Sequence, residues 1–154
     1  MLGPALSAVE RLGVRAVVTV GATALPAKVP SNVTPSAARH AAILPYAAAA
    51  IVNGGHGTVV RALSAGVPLV VVPGHGDQQE NAFRVERAGA GIQVRRRAPD
   101  AATIERAVRR VLSRPSYAAG SAAIRREAAD LDGPERAADL IEETFGAGKT
   151  RRAG

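Results

Sequence analysis

The feature that most constrains the fold is a regular alternation of short β-branched runs with helical segments. The clearest run covers residues 69–72, between Pro68 and Pro73, and a helical stretch follows it. A strand that is apolar at every position is typical of a parallel sheet covered by helices on both faces. The alternation therefore predicts an α/β fold, a Rossmann-like parallel sheet with helices on both faces.

The remaining segments follow the same pattern up to Asp100, after which only helices are expected. Strands are predicted at residues 14–20, 32–34, 48–53, 69–72 and 92–94, and helices at 5–12, 40–44, 58–65, 77–88, 116–131 and 134–145. Between them, an apolar stripe predicts a further helix, formed by Ile104, Val108, Val111 and Leu112. We expect one domain over residues 1–146 and a disordered tail over 147–154.

Composition excludes several classes of protein. The chain has no Cys, so it has neither disulfides nor a thiolate metal site. No apolar run reaches the roughly 18–20 residues of a membrane helix. Residues 1–13 lack the basic and apolar regions of a signal peptide, so a cytoplasmic location is expected.

The chain is basic, with a net charge of +7, and nine arginines lie between Arg95 and Arg126. Such a cluster can bind nucleic acid. It can equally be a solvated helical surface. No aromatic side chains interleave with these arginines to stack on bases, which favours the solvated surface.

The turn after the strand at residues 48–53 carries three glycines within four positions. Glycine lets backbone N–H groups turn toward an anion, and the N-terminus of the following helix adds partial positive charge. The Thr58 hydroxyl can cap that helix and donate to a phosphate oxygen. The alternative is a tight turn in which glycine serves packing only. The turn consists of Asn53, Gly54, Gly55, His56, Gly57 and Thr58.

The turn after residues 69–72 ends in Asp77 and Gln78, and Asn81 follows. A carboxylate beside an amide offers paired hydrogen-bonding groups that suit sugar hydroxyls. Asp77 is also expected to be the N-cap of the next helix. The carboxyl ends of parallel strands form the ligand-binding edge of such sheets, so both turns are candidates for a site.

Together, the two turns resemble the donor-binding signature of family 1 glycosyltransferases, the UDP-glycosyltransferase-like group with the GT-B fold. Bacterial macrolide and antibiotic glycosyltransferases belong to this group. The resemblance is strong over residues 40–91 and looser over the rest of the chain. The matching residues are 53–58, 62–63, 65–68, 70–73, 77–78, 81–82 and 89–91, which read NGGHGT, AL, AGVP, VVVP, DQ, NA and GAG.

The resemblance implies a hexosyltransferase domain that binds a UDP- or dTDP-linked sugar for inverting transfer to a hydroxyl acceptor. It implies no metal and no cofactor besides this donor substrate, so a metal site at His56, His75 and Asp77 is not expected. It places residues against the donor as follows: Asn53, Gly55, His56, Gly57, Thr58 and Arg61 at the diphosphate, Asp77 and Gln78 at the sugar, and His40 and Ile43 at the base.

Three positions depart from the family pattern. Asn53 stands where many members have a His that contacts phosphate, and Arg61 stands where many have a Glu that holds the ribose. Arg cannot accept a hydrogen bond, but it can reach a phosphate and so offset the charge that Asn53 lacks. Ala37 lacks the aromatic ring that stacks on the base in plant members. These departures therefore do not identify which nucleotide the donor carries.

The resemblance also implies that part of the enzyme is missing. In the family, a separate N-terminal domain binds the acceptor and supplies the catalytic His, and none of the three His here matches it. We expect the first strand of the sheet to be missing as well. The chain is then expected to bind a nucleotide sugar and to transfer little without a partner, and it has no catalytic residue of its own.

Three other functions are compatible with parts of the sequence. One is a non-catalytic remnant that keeps the fold but binds no ligand, which Asn53 and the missing N-terminal domain favour. Another is a GT-B-type epimerase, which needs acidic residues between two complete domains that are not found here. The last is a nucleic-acid-binding protein that uses the arginine cluster.

Overall fold

The fold was described from a computed structural model, which covers residues 1–19, 25–95, 98–129 and 133–146. Arg96 and Arg97 of the arginine cluster, and the tail over 147–154 that was expected to be disordered, lie outside these ranges. The elements are α1 (Leu2–Leu12), β1 (Ala16–Val18), β2 (Val33–Pro35), α2 (His40–Ile43), a 3-10 helix (Leu44–Tyr46), β3 (Ala50–Val52), α3 (His56–Ser64), β4 (Leu69–Val71), α4 (Asp77–Arg87), β5 (Gly91–Gln93), α5 (Ala101–Ser113), α6 (Pro115–Ala129) and α7 (Gly133–Gly146).

The described strands pair in parallel, as the sequence predicted, but they form two separate sheets. One sheet consists of β1 and β2, with Ala16 opposite Val33. The other has the order β3-β4-β5, with Leu69 opposite both Ala50 and Gly91. The α/β fold with helices around parallel strands is therefore confirmed.

Strand β4 is the centre of the larger sheet, and Leu69, Val70 and Val71 have no exposed surface. On one face, Val70 packs in a cluster with residues of α1 and α5, among them Ala8 and Ile104. On the other face, Leu69 and Val71 pack in a cluster with residues of α3 and α4. Burial on both faces explains why this strand has no polar position.

Several element boundaries differ from the predictions. Strand β1 covers only residues 16–18 of the predicted 14–20, and residue 20 lies outside the described residues. Helix α3 begins at His56, two residues before the predicted start. Leu112 was predicted in the buried stripe of α5 but is 43% exposed. Ala107 is buried instead, because the side of α5 that packs against the core consists of Ile104, Ala107, Val108 and Val111.

Apolar side chains are exposed on α7, where Leu140, Ile141 and Phe145 are 46%, 59% and 73% exposed. The helix therefore contributes little to the core. Within the described ranges, no helix has the length and apolar character needed to cross a membrane.

Helix α6 approaches the end of α4 so closely that it needs glycine at position 120. A Cβ on Gly120 would lie 2.4 Å from the carbonyl oxygen of Gly89, whereas a Cβ on Gly3 of α1 would meet no atom within 4 Å. The same substitution is therefore expected to have opposite effects in these two helices.

We predict that Gly120→Ala lowers the free energy of unfolding by about 1–3 kcal/mol, since backbone must move to make room. The control Gly3→Ala should leave it unchanged or raise it by less than about 1 kcal/mol, because Ala favours helix. Urea denaturation followed by circular dichroism measures both. An equal loss of unfolding free energy in the two variants would contradict the close approach of α6 to the end of α4.

Candidate functional site

The two turns singled out in the sequence lie side by side in the structure. Strands β3 and β4 are paired in parallel, with Val52 opposite Val71, and a turn follows each of them. Each turn leads into a helix, α3 after the first and α4 after the second. The edge formed by the carboxyl ends of these strands is where ligands bind in open α/β sheets.

The first turn requires glycine at position 54. Gly54 is buried and has a φ of 86°, which disfavours any residue with a Cβ. A Cβ there would also lie 2.9 Å from the carbonyl oxygen of Gln78 and 3.0 Å from Cγ1 of Val71. The backbone of the first turn is thus packed directly against the start of α4.

Only some of the backbone donors in the first turn are available to a ligand. The Gly55 N–H donates to Oδ1 of Asn53 at 3.3 Å, and the Thr58 N–H donates to the Gly55 carbonyl at 3.0 Å. The N–H groups of His56 and Gly57, which open α3, have no hydrogen-bond partner among the described residues. These two donors, in the first turn of a helix, can bind an anion.

The Thr58 hydroxyl does not cap α3, contrary to the sequence prediction, because the N-cap is Gly55 and no side chain caps it. This hydroxyl makes no hydrogen bond to another described side chain or backbone group, and Thr58 is half-buried. It can therefore donate to a ligand next to the two free N–H groups.

Arg61 lies one helical turn beyond Gly57 and folds back over the first turn. Its Nη1 donates to the Gly57 carbonyl at 3.3 Å, and its side chain is exposed. The guanidinium group keeps four further N–H donors for other partners. A cation therefore lies beside the free donors of His56 and Gly57.

The second turn leads into α4 at Asp77. The N-cap of α4 is Gly76, so the prediction that Asp77 is the N-cap was wrong. Gly76 has a φ of 65°, which suits glycine there, and Asp77 becomes the first residue of the helix. Gln78 closes the turn by accepting the Gly74 N–H at Oε1, at 2.9 Å, which leaves its amide nitrogen to donate. The Asp77 carboxylate is exposed.

Asn81 connects the two turns, a role that could not be recognised from the sequence beyond its place in the family pattern. Its Nδ2 donates to the Gly54 carbonyl at 2.9 Å and to Oδ2 of Asp77 at 3.2 Å. One amide thus fixes the backbone of the first turn and the carboxylate of the second relative to each other. Only the folded pairing of β3 with β4 reveals this contact, since 27 residues separate Asn81 from Gly54.

A cavity of about 700 Å³ is lined in part by His40. His40 Nε2 lies 2.9 Å from the Thr19 hydroxyl, which ties α2 to the end of β1. Arg61 lines the cavity and also donates to the Gly57 carbonyl, so this side chain links the cavity with the first turn. Ile43 does not line this cavity. The lining residues are Thr19, Ser36, Ala37, Ala38, Arg39, His40, Ala41 and Arg61.

The possible metal ligands and the arginine cluster were also alternatives raised by the sequence. Among residues 1–19, 25–95, 98–129 and 133–146, no three His, Cys, Asp or Glu side chains are grouped to hold a metal ion. In the arginine cluster, Arg109 pairs with Glu105 at 3.0 Å, and Arg95 pairs with Glu86. Part of the positive charge is therefore neutralised within the fold.

Comparison with known proteins identifies the family of this chain. The family described as "Erythromycin biosynthesis protein CIII-like, C-terminal domain" matches residues 4–144. The chain is 39% identical over 143 residues to 4'-demethylrebeccamycin synthase of Lentzea aerocolonigenes, covering 92% of this chain and 34% of that protein. It is 34% identical over 106 residues to the elloramycin glycosyltransferase ElmGT of Streptomyces olivaceus, covering 69% of this chain and 26% of that protein.

Solved structures show the same similarity. The calicheamicin glycosyltransferase CalG4 matches with a TM-score of 0.82 and 28% identity, over 94% of this chain and 39% of that one. The spinosyn rhamnosyltransferase SpnG complexed with thymidine diphosphate matches with a TM-score of 0.74 and 28% identity, over 82% of this chain and 36% of that one. The chain spans about a third of the length of these relatives. It belongs to the family of erythromycin biosynthesis protein CIII-like C-terminal domains, the C-terminal part of family 1 glycosyltransferases with the GT-B fold.

Proposed function

We propose that the chain binds the nucleotide-sugar donor of an inverting glycosyltransferase, a UDP- or dTDP-linked hexose, with the pyrophosphate at the start of α3. The observation that carries the proposal is the pair of unpartnered N–H groups of His56 and Gly57 beside the Thr58 hydroxyl. Three donors in one helical turn, in the field of the helix dipole, suit phosphate oxygens.

Two side chains supplement these donors. Arg61 brings a full positive charge to the turn from its contact with the Gly57 carbonyl. Asn53 uses its Oδ1 on the Gly55 N–H, which leaves its Nδ2 as a neutral donor at the same edge. Arg61 thereby supplies the charge that Asn53 cannot carry, which is how a chain with these two departures can still hold a diphosphate.

The sugar is assigned to the second turn. The Asp77 carboxylate is exposed, and its neighbour Gln78 keeps a free amide nitrogen. An acceptor and a donor side by side match the alternating donor and acceptor character of sugar hydroxyls. Because Asn81 ties Asp77 to Gly54, a sugar joined to a pyrophosphate on the first turn would lie within reach of the second.

The nucleoside is assigned to the cavity that contains His40. Arg61 and His40 line the same cavity, and Arg61 also contacts Gly57 of the first turn, which supports a nucleoside next to the proposed pyrophosphate position. The thymidine diphosphate complex of SpnG, which is similar in structure to this chain, supports a pyrimidine nucleotide. Ile43, which the family resemblance placed at the base, is not among the residues that line this cavity.

The acceptor hydroxyl and its general base are assigned to the part of the relatives that this chain does not match. His56 and His75 are exposed beside the two turns, and His40 is engaged with Thr19. General-base assistance contributes about 10²–10⁴-fold to such reactions. We therefore expect donor binding by this chain alone, and transfer only with an acceptor-binding domain.

A non-catalytic remnant that binds no donor is the second candidate. The observation that favours it is the internal use of Asn53 and of the Thr58 N–H, which reduces the donors available for a phosphate. The two candidates differ in one measurable property, the affinity for a nucleoside diphosphate.

We predict that UDP or dTDP binds the purified chain with a dissociation constant below about 1 mM, that is, with at least ~4 kcal/mol of binding free energy. Isothermal titration calorimetry measures this directly, and guanosine diphosphate serves as the control for selectivity in the cavity. An absence of heat with both pyrimidine nucleotides at millimolar concentration would leave the remnant as the better account.

Replacing the Thr58 hydroxyl tests the pyrophosphate position. Thr58→Val should weaken binding of the preferred diphosphate by about tenfold or more, since a hydrogen bond to a charged group contributes roughly 1.5–3 kcal/mol. Thr58→Ser keeps the hydroxyl and should bind nearly as well as the wild type. If both variants bind equally, the hydroxyl does not contact the phosphate.

Comparison of UDP with UDP-glucose tests the second turn. Asp77→Ala should leave the affinity for UDP unchanged and should abolish any additional affinity for UDP-glucose, because only the sugar reaches Asp77. Glu80→Ala is the matched control, since Glu80 lies on the same helix and pairs with Arg84. A loss of UDP affinity in the Asp77 variant alone would place this carboxylate at the diphosphate instead.

A further inference from the structure

We infer that Gln79 is a positioning residue for the donor sugar, because it controls which end of the Gln78 amide faces the ligand. Gln79 lies between the acid-amide pair and Asn81, and it is not one of the residues that match the family pattern. This role rests on the proposed function, since it takes the sugar to lie at Asp77 and Gln78. It adds a specificity, namely that Gln78 donates a hydrogen bond to the sugar and does not accept one.

Both backbone polar groups of Gly74, in the second turn, are bound by side chains from the start of α4. The Gly74 N–H donates to Oε1 of Gln78 at 2.9 Å, and the Gly74 carbonyl accepts from Nε2 of Gln79 at 3.3 Å. A Cβ on Gly74 would lie 3.1 Å from Oε1 of Gln78, so glycine permits this close approach. Two adjacent glutamines therefore hold one residue of the turn between them.

These contacts fix the orientation of both amides. A backbone N–H can only donate and a backbone carbonyl can only accept, whereas a glutamine amide can turn either end toward a partner. The Gly74 N–H therefore holds the oxygen of Gln78, and the Gly74 carbonyl holds the nitrogen of Gln79. The amide nitrogen of Gln78 has no hydrogen-bond partner in the described part of the chain and stays available as a donor.

Gln93, at the end of β5, holds the other end of the Gln79 amide. Its Nε2 donates to Oε1 of Gln79 at 3.2 Å, and its backbone N–H donates to Oε1 of Glu86 at 3.4 Å. Gln79 thus uses its nitrogen on Gly74 and its oxygen on Gln93, so both ends of its amide are engaged. Strand β5 is thereby linked to the second turn through one side chain.

Gln78 packs against the first turn, which leaves its side-chain amide as the part that can reorient. A Cβ on Gly54 would lie 2.9 Å from the Gln78 carbonyl oxygen and 3.3 Å from the Gln78 Cβ, so this backbone is fixed by close packing. Without Gln79, the Gly74 carbonyl would be free to accept from the nitrogen of Gln78. The amide oxygen of Gln78 would then turn toward the sugar in place of the nitrogen.

The fixed orientation defines which sugars suit the second turn. An ionised carboxylate only accepts hydrogen bonds, and the outward nitrogen of Gln78 only donates them. The sugar must therefore offer a hydroxyl that donates to Asp77 and an oxygen that accepts from Gln78. A protonated amino group facing Gln78 would leave two donors opposed, so the site favours hydroxylated sugars over amino sugars at that position.

Calorimetry with UDP and UDP-glucose tests the role of Gln79. The readout is the dissociation constant of UDP divided by that of UDP-glucose, because only the second ligand carries the sugar. Gln79→Leu should lower this ratio by roughly two- to tenfold, the range that corresponds to one hydrogen bond. Gln79→Glu keeps an oxygen for Gln93 but has no donor for Gly74, and it should lower the ratio by a similar factor.

A double-mutant cycle shows whether Gln79 acts through Gln78. In a Gln78→Leu background, Gln79→Leu should not change the ratio further, since no amide is left to orient. Glu80→Leu is the matched control, because Glu80 is the next residue of α4 and pairs with Arg84 at 2.8 Å. It should leave the ratio unchanged in both backgrounds. Equal effects of Gln79→Leu with and without the Gln78 amide would overturn the inference.

Amide hydrogen exchange of Gly74, followed by NMR on the chain without ligand, tests the same contacts independently of donor binding. Gln79→Leu should raise the exchange rate of the Gly74 N–H by at least about threefold, because the turn is then held by Gln78 alone. An unchanged rate would overturn the role of Gln79 and leave the donor proposal intact. Failure of both UDP and UDP-glucose to bind the wild-type chain would overturn the donor proposal and this role with it.

Discussion

The parallel pairing of β3 with β4 is the constraint on which the candidate site depends. It places the ends of the two strands next to each other. The turn at Gly54 then packs so closely against the start of α4 that a Cβ on Gly54 would lie 2.9 Å from the carbonyl oxygen of Gln78. The hydrogen bond from Asn81 to the Gly54 carbonyl is possible only in this register. If either strand slipped by one residue, its side chains would turn to the opposite face of the sheet and this contact would be lost.

Much of this arrangement could be predicted from the sequence. The uniformly apolar run at Leu69 to Val71 indicated a buried parallel strand, and the glycines around Gly54 indicated a tight turn into a helix. The order and spacing of the sequence motifs indicated the correct family. Local pattern was sufficient here because the turns are formed by residues close in sequence, with chemistry that few other residue types provide.

The parts that could not be predicted depend on contacts between distant residues. No periodicity in α4 distinguishes Asn81 as the residue that binds Gly54, and no pattern in α5 distinguishes a buried Ala107 from an exposed Leu112. The N-cap of α4 is Gly76, whose positive φ suits glycine. The helix therefore begins at Asp77, one residue earlier than it would if Asp77 were the N-cap. Such choices follow from tertiary packing, which local propensity does not contain.

The central claim, that the start of α3 holds a pyrophosphate, is tested most directly by a crystal structure of the chain with dTDP or UDP. We expect phosphate oxygens about 3 Å from the backbone nitrogens of His56 and Gly57 and from the Thr58 hydroxyl, with the base in the cavity beside His40. A diphosphate bound elsewhere, or a first turn whose N–H groups are occupied by the protein's own side chains while nucleotide is present, would contradict it.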